Sequence, residues 1–215
     1  MKVKQKQGTR GSLKWLQLCV NGQPEVLQHV ELGDVTWLSP LKADDYAEYR
    51  DAAFLDCVKL GHHAHDLAAF WPARGPQWDA LGRAGDKVVL VEAKAYLKEM
   101  VSTCAAGEAS KARISAAFRQ VCDDLGVLDH TPWLTGYYQL ANRIAHLWFL
   151  RQAGVDAHLL LVGFVNDADM KGPTVAAKWE TAYRVAEAGL GIAAGHKLSP
   201  YIHHIYPDVR RIGVS

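Results

Sequence analysis

The chain has 215 residues, 49% of them apolar, which is enough for one sizeable core and too little for two. Its 24 Lys and Arg almost balance 23 Asp and Glu, which excludes a nucleic-acid binder working through global positive charge and leaves only local patches. The four cysteines are scattered through apolar segments with no C-x-x-C pair, which argues against a zinc ribbon or disulfide frame and for a reducing, cytoplasmic setting.

In chain order, Lys2, Lys4, Lys6, Arg10 and Lys14 precede any acidic residue, a charge run that reads as a frayed, solvated tail more readily than as a nucleic-acid patch. Leu13, Leu16 and Val20 recur at helical spacing behind Ser12 as N-cap, and Pro24 opens a second short helix through Val30. Asp34 to Leu38 is extended and stops at Ser39-Pro40. Asp44 to Leu60 predicts an amphipathic helix, with Tyr46, Tyr49, Ala53, Phe54, Cys57 and Leu60 on one face, an acidic first turn and Gly61 at its end. Leu67 to Trp71 is a short apolar piece stopped by Pro72. Gln77 to Leu81 and Lys87 to Ala95 form the arms of a β-hairpin around Gly82-Arg-Ala-Gly-Asp86. The run Val88-Val-Leu-Val91 does not alternate, so both its faces are expected to be buried, as in a central strand. Helices follow over Ser110 to Leu125 and from a Thr135 cap to Gln152, then a strand over Ala157 to Val165 and a helix over Val175 to Ala188. The run 159 to 165 is far short of the ~20 residues a membrane span needs. The order helix, strand, hairpin, helices, strand predicts an α/β protein with a mixed sheet flanked by helices, because a strand reached through a long helix lies parallel in the same sheet. The expected division is a single domain, with an N-terminal embellishment at 1–40, a core at 41–168 and a C-terminal helical and loop extension at 169–215.

Side chains in a strand alternate faces, so Glu92 and Lys94 share one side of the second hairpin arm with Val88 and Leu90. With the loop centred near Ala84, Asp79 faces Val89 and Leu90, and a bulge or one residue of stagger brings it beside Glu92. Two buried carboxylates at a strand end cost several kcal/mol unless a cation compensates. Lys94 is one such cation and a hard divalent ion is the other. Asp, Glu and Lys together suit metal-assisted phosphodiester hydrolysis, in which a metal activates water and the lysine positions it or stabilises developing negative charge.

Asp79 in QWDAL, followed across a turn by Glu92-Ala93-Lys94 in VVLVEAKA, resembles the signature of the PD-(D/E)xK nuclease superfamily. The resemblance implies a restriction-endonuclease-like three-layer core in the order α-β-β-β-α-β. It also implies Mg²⁺ or Mn²⁺ held by Asp79, Glu92 and the backbone carbonyl of Ala93, with Lys94 in catalysis. Trp78 stands where a proline often precedes the aspartate. An acidic residue on the first core helix is implied as well, with Glu48 preferred from its mid-helix position, and Gln139 matches a helix that shapes the site in some members. The expected activity is a metal-dependent DNA endonuclease of restriction, defence or repair; the alternative is a non-catalytic binding or scaffold subunit on the same fold. The partner is nucleic acid and not a membrane, and a homodimer is the assembly the resemblance allows.

Arg74 and Trp78, in the aromatic stretch before Asp79, read either as a phosphate grip and a base-stacking ring or as core, and Arg143 on the long helix as a cleft residue. Glu99 reads as a partner of Lys94 or a surface residue. Lys111, Arg113 and Arg119 read as a solvated face more readily than as DNA contacts. His62, His63 and His65 follow a helix end with no identifiable fourth ligand, so a zinc site is the weaker reading of them, as of His196, His203 and His204.

Overall fold

The computed structural model describes residues 1–213. A two-residue strand, β1 (Lys2–Val3), precedes α1 (Gly11–Gly22), which buries Leu16, Cys19 and Val20 on one stripe. After a 3-10 turn at Pro24–Leu27 come β2 (Thr36–Ser39), β3 (Glu48–Tyr49), α2 (Ala52–Cys57) and α3 (Ala64–Phe70). The hairpin is β4 (Ala80–Ala84) and β5 (Lys87–Lys94). Then follow α4 (Glu108–Leu125), α5 (Tyr138–Gln152), β6 (Ala157–Gly163), α6 (Ala176–Gly189) and β7 (Ile202–Ile205).

Segment 44–60 departs from expectation. Asp45, Tyr46 and Asp51 have φ of 51°, 50° and 53°, left-handed values that break an α-helix, so the helical spacing of its apolar residues serves a strand and one short helix. Glu48 therefore lies on β3 and not mid-helix. The basic N-terminus is also not a frayed tail. β1 pairs with β3 in a two-stranded ladder, Lys2 bonds the Asp44 carboxylate, and Lys4 Nζ lies 2.6 Å from Asp45. Leu67 to Trp71, counted as a strand in the element order, is mostly helix α3.

The hairpin turn contains only Gly85 and Asp86. Gly85 has φ 59°, as a type II′ turn requires at its first position, and the pairing runs Ala84 to Lys87 through Ala80 to Val91. The main sheet has five strands in the order β2-β4-β5-β6-β7. β2, β4 and β5 are antiparallel, while β5, β6 and β7 run parallel. The segments read as terminal embellishments thus supply both edge strands.

Strand alternation divides the core. Leu81, Val88, Leu90, Leu159 and Leu161 face α4, α5 and α6, and Ala80, Val89, Val91, Ala93, Leu160 and Val162 face α1. Burying each such Val or Leu side chain contributes about 1.5–3 kcal/mol, and α4 matches it with Ile114, Ala117, Phe118 and Val121 on one stripe before Gly126 ends it at φ 74°. α5 is buried on most sides, including Asn142, Arg143 and His146. Among the described residues no helix is long and apolar enough to cross a membrane.

Candidate active site

The short turn removes the need for a bulge: extending the register by one residue beyond Ala80 and Val91 sets Asp79 opposite Glu92. Asp79 Oδ2 accepts the Ala93 N–H at 2.8 Å, a side-chain bond in place of the next ladder bond. A strand residue's N–H and C=O point the same way, so the Ala93 carbonyl also faces the Asp79 side and not β6.

Glu92 and Lys94 project toward α5 because they follow Val88 and Leu90 on that face. Glu92 is 2% exposed, and each of its oxygens meets a cation: Oε1 accepts from Lys94 Nζ at 2.7 Å and Oε2 from Arg143 Nε at 2.6 Å. Lys94 Nζ also donates to Gln139 Oε1 at 2.7 Å, so the two α5 residues sit on either side of Glu92. Gln139 is fixed in turn by its own backbone N–H, which donates to Ser102 Oγ at 2.8 Å. Arg143 donates further to the Gln77 carbonyl at 2.7 Å and lies 4.8 Å over the Trp78 ring. Gln77 Nε2 and Gln5 Nε2 both donate to Glu48 Oε2, at 2.5 and 3.0 Å. Glu48, Gln77, Arg143, Glu92, Lys94 and Gln139 are therefore one hydrogen-bonded chain.

Three carboxyls here face two cations. Burial first, then the neighbouring Glu92 and Glu48 charges, push the Asp79 carboxyl well above the ordinary range. Glu48 is pushed up as well, chiefly by burial and with Glu92 adding to it. Glu92 is the exception: burial pushes it up, but Arg143 and then Lys94 outweigh that and hold it low. The residues fit a hard divalent cation, because Asp79 and Glu92 offer oxygen donors in a site with surplus negative charge, and Mg²⁺ needs only one or two carboxylates while keeping several waters. Among the described residues no group of three His, Cys, Asp or Glu side chains could hold an ion together. No family model, curated protein or solved structure matches the chain.

Other expected residues lie apart or play different parts. Trp78 is 0% exposed, so its ring supports Arg143 and cannot stack on a base. Arg143 is 3% exposed and spent on Glu92 and Gln77, which makes it a structural clamp on the site and not a cleft residue reaching substrate. Arg74 is exposed on the loop before Asp79, with φ 67° and its N–H directed to Asp51. Arg113 donates to the carbonyls of Ala68, Ala69 and Trp71, at and just beyond the end of α3. Burial raises the Glu99 carboxyl, while the Lys94 charge opposes the shift. His62 and His63 have ring centroids 4.1 Å apart, while the His65 side chain is 95% exposed. Gln5 and Gln77 carry no sequence signal, since only the fold brings them to Glu48.

Proposed function

We propose that the protein is a metal-dependent nuclease of the PD-(D/E)xK type, cutting phosphodiester bonds in DNA. The observation that carries the reading is Asp79 opposite Glu92, with Lys94 on the same face, at one end of a rigid buried strand and with one carboxyl in excess of the cations. The element order supports it once β3, α2 and α3 are taken as an insertion between β2 and β4: α1, β2, β4, β5, the α4 and α5 pair and β6 then follow α-β-β-β-α-β, with α1 as the opening helix in place of the one expected at 44–60.

A divalent cation bound by Asp79, Glu92 and the Ala93 carbonyl would supply a water of lowered pKa and neutralise phosphate charge. The chain's own residues prepare the ground. Arg143 holds Glu92 ionised and oriented, Gln139 holds Lys94 beside it, and the Lys94 ammonium is placed to orient water or meet negative charge developing on phosphate. With all three carboxyls ionised, a divalent cation beside Lys94 and Arg143 leaves a net positive charge, which suits an anionic substrate.

The test is Mg²⁺-dependent cleavage of plasmid and single-stranded DNA by the wild type, Asp79→Asn and Lys94→Ala. Both variants are expected to lose activity by about 10²-fold or more, and equal cleavage by all three sinks the reading. The competing reading is a non-catalytic scaffold on this fold, supported by the two cations that already occupy Glu92. Calorimetry with Mn²⁺ separates them, since a scaffold binds none.

A further inference from the structure

One turn of α5 beyond Arg143, His146 lines a cleft of about 310 Å³ with Asp51, Leu67, Trp71, Pro72 and Arg113. This lies at the small end of ligand sites. His146 is 1% exposed, and its Nδ1 lies 2.8 Å from the Asn142 carbonyl. A carbonyl can only accept, so Nδ1 carries the proton and Nε2 presents a bare lone pair. Burial lowers the ring's pKa to about 3, so it stays a neutral acceptor at physiological pH. Nε2 makes no hydrogen bond among the described residues, and since His146 lines the cleft its lone pair is open to a ligand or to water.

A second acceptor converges on the same space. Asp51 adopts φ 53°, a strained value for a residue with a side chain; its carboxylate accepts the N–H groups of Gly75 at 2.8 Å and Arg74 at 3.3 Å, lies 4.0 Å from Arg50 Nε, and its side chain remains 29% exposed. A Cβ placed on Gly75 would lie 3.3 Å from Asp51 Oδ1, 3.3 Å from Trp71 Cδ1 and 3.5 Å from His146 Nε2. The Asp51 carboxylate, the Trp71 indole edge and His146 Nε2 thus converge beside Gly75, at the mouth that a side chain there would crowd. The Arg113 guanidinium, spent on the carbonyls around the end of α3, fixes the rim. The occupant these walls favour is flat, has apolar faces and donates two hydrogen bonds from one edge.

We infer that this cleft is a base-selecting subsite, holding an unpaired nucleobase whose exocyclic amino edge donates to His146 Nε2 and the Asp51 carboxylate. Guanine, adenine and cytosine carry that amino group; thymine and uracil do not. The inference rests on the proposed nuclease reading, for which His146 and Arg143, about 4.5 Å apart along one helix, would set base recognition within a nucleotide's reach of the scissile bond.

The experiment is calorimetry or saturation-transfer NMR on the full chain, without metal, using deoxyguanosine, deoxycytidine and thymidine as phosphate-free probes. The amino-bearing nucleosides are expected to bind roughly tenfold more tightly than thymidine, the worth of one or two hydrogen bonds. Gly75→Ala and Gly75→Val fill the shared space and are expected to weaken deoxyguanosine binding, with the larger side chain the more severe. Binding of thymidine equal to that of deoxyguanosine, or no nucleoside binding by the wild type, overturns the inference whatever the variants do. Loss of metal-dependent cleavage with nucleoside discrimination intact counts against the nuclease reading alone.

Discussion

Glu92 shows how one residue can be costly and still well placed. A buried carboxylate flanked by Lys94 and Arg143 contributes little net stability, yet removing one partner leaves an uncompensated charge in the core. Arg143→Gln is expected to destabilise the fold by about 3–5 kcal/mol in urea denaturation, and Arg143→Lys by less, since an ammonium restores the charge without the fork that also reaches Gln77. An equal cost for both would mean that packing against Trp78, not charge, is what Arg143 supplies. Asp79 works in the opposite sense. Its folded pKa stands above the unfolded one, so the stability it gives is complete below the ordinary carboxylate range and is lost as pH rises through the folded value. Asp79→Asn keeps an acceptor for the Ala93 N–H and removes the charge. In metal-free buffer it is expected to raise the melting temperature at pH 8 by roughly 2–4 °C and to change it little at pH 3. A gain of equal size at both pH values would place its origin outside ionisation.

At the scale of elements, what could be read from the sequence follows from how local each signal is. The buried strand β5 shows itself by four consecutive apolar residues, and α4, α5 and β6 by long patterned runs. Glu92 and Lys94 stand out because they interrupt such a run. The helical spacing that points to Glu48 belongs to a helix that does not form, because Asp45, Tyr46 and Asp51 take positive φ with no glycine to announce it. β7 reads Ile-His-His-Ile, whose adjacent histidines hide an edge strand made by pairing with β6. The part played by Arg143 depends on how α5 is set against β5, which no local pattern encodes. The start of α5 is another such case. Its Gln139 N–H is met by Ser102, on a loop 37 residues earlier, and not by the expected Thr135 cap. Ser102→Ala is expected to cost about 1 kcal/mol, as loss of a cap does. It should also lower cleavage more than that cost explains, because Gln139 then holds Lys94 less firmly. Unchanged activity at full folding would remove Ser102 and Gln139 from the proposed machinery.

Across the whole molecule, the site draws on every layer. Gln5 and Glu48 come from the N-terminal ladder, Asp79, Glu92 and Lys94 from the central sheet, and Gln139 and Arg143 from the buried helix. No fragment of the chain assembles it, so an ion that binds there binds only the folded state and its affinity appears as global stability. At an ion concentration of 100 times the dissociation constant this linkage amounts to about 2.7 kcal/mol. The charges give the sign: the third carboxyl, Asp79, opposes folding at neutral pH in the absence of a cation and, on the proposed reading, becomes a ligand when one is present. Mg²⁺ or Mn²⁺ is therefore expected to raise the melting temperature of the wild type at pH 7 to 8 and to lose that effect as acid protonates Asp79. Asp79→Asn, the more stable protein without metal, should gain little from the ion, so that the two melting curves approach or cross as its concentration rises. If both proteins shift in parallel, the ion acts elsewhere on the surface, and Asp79 opposite Glu92 is a structural pair without a metal to hold.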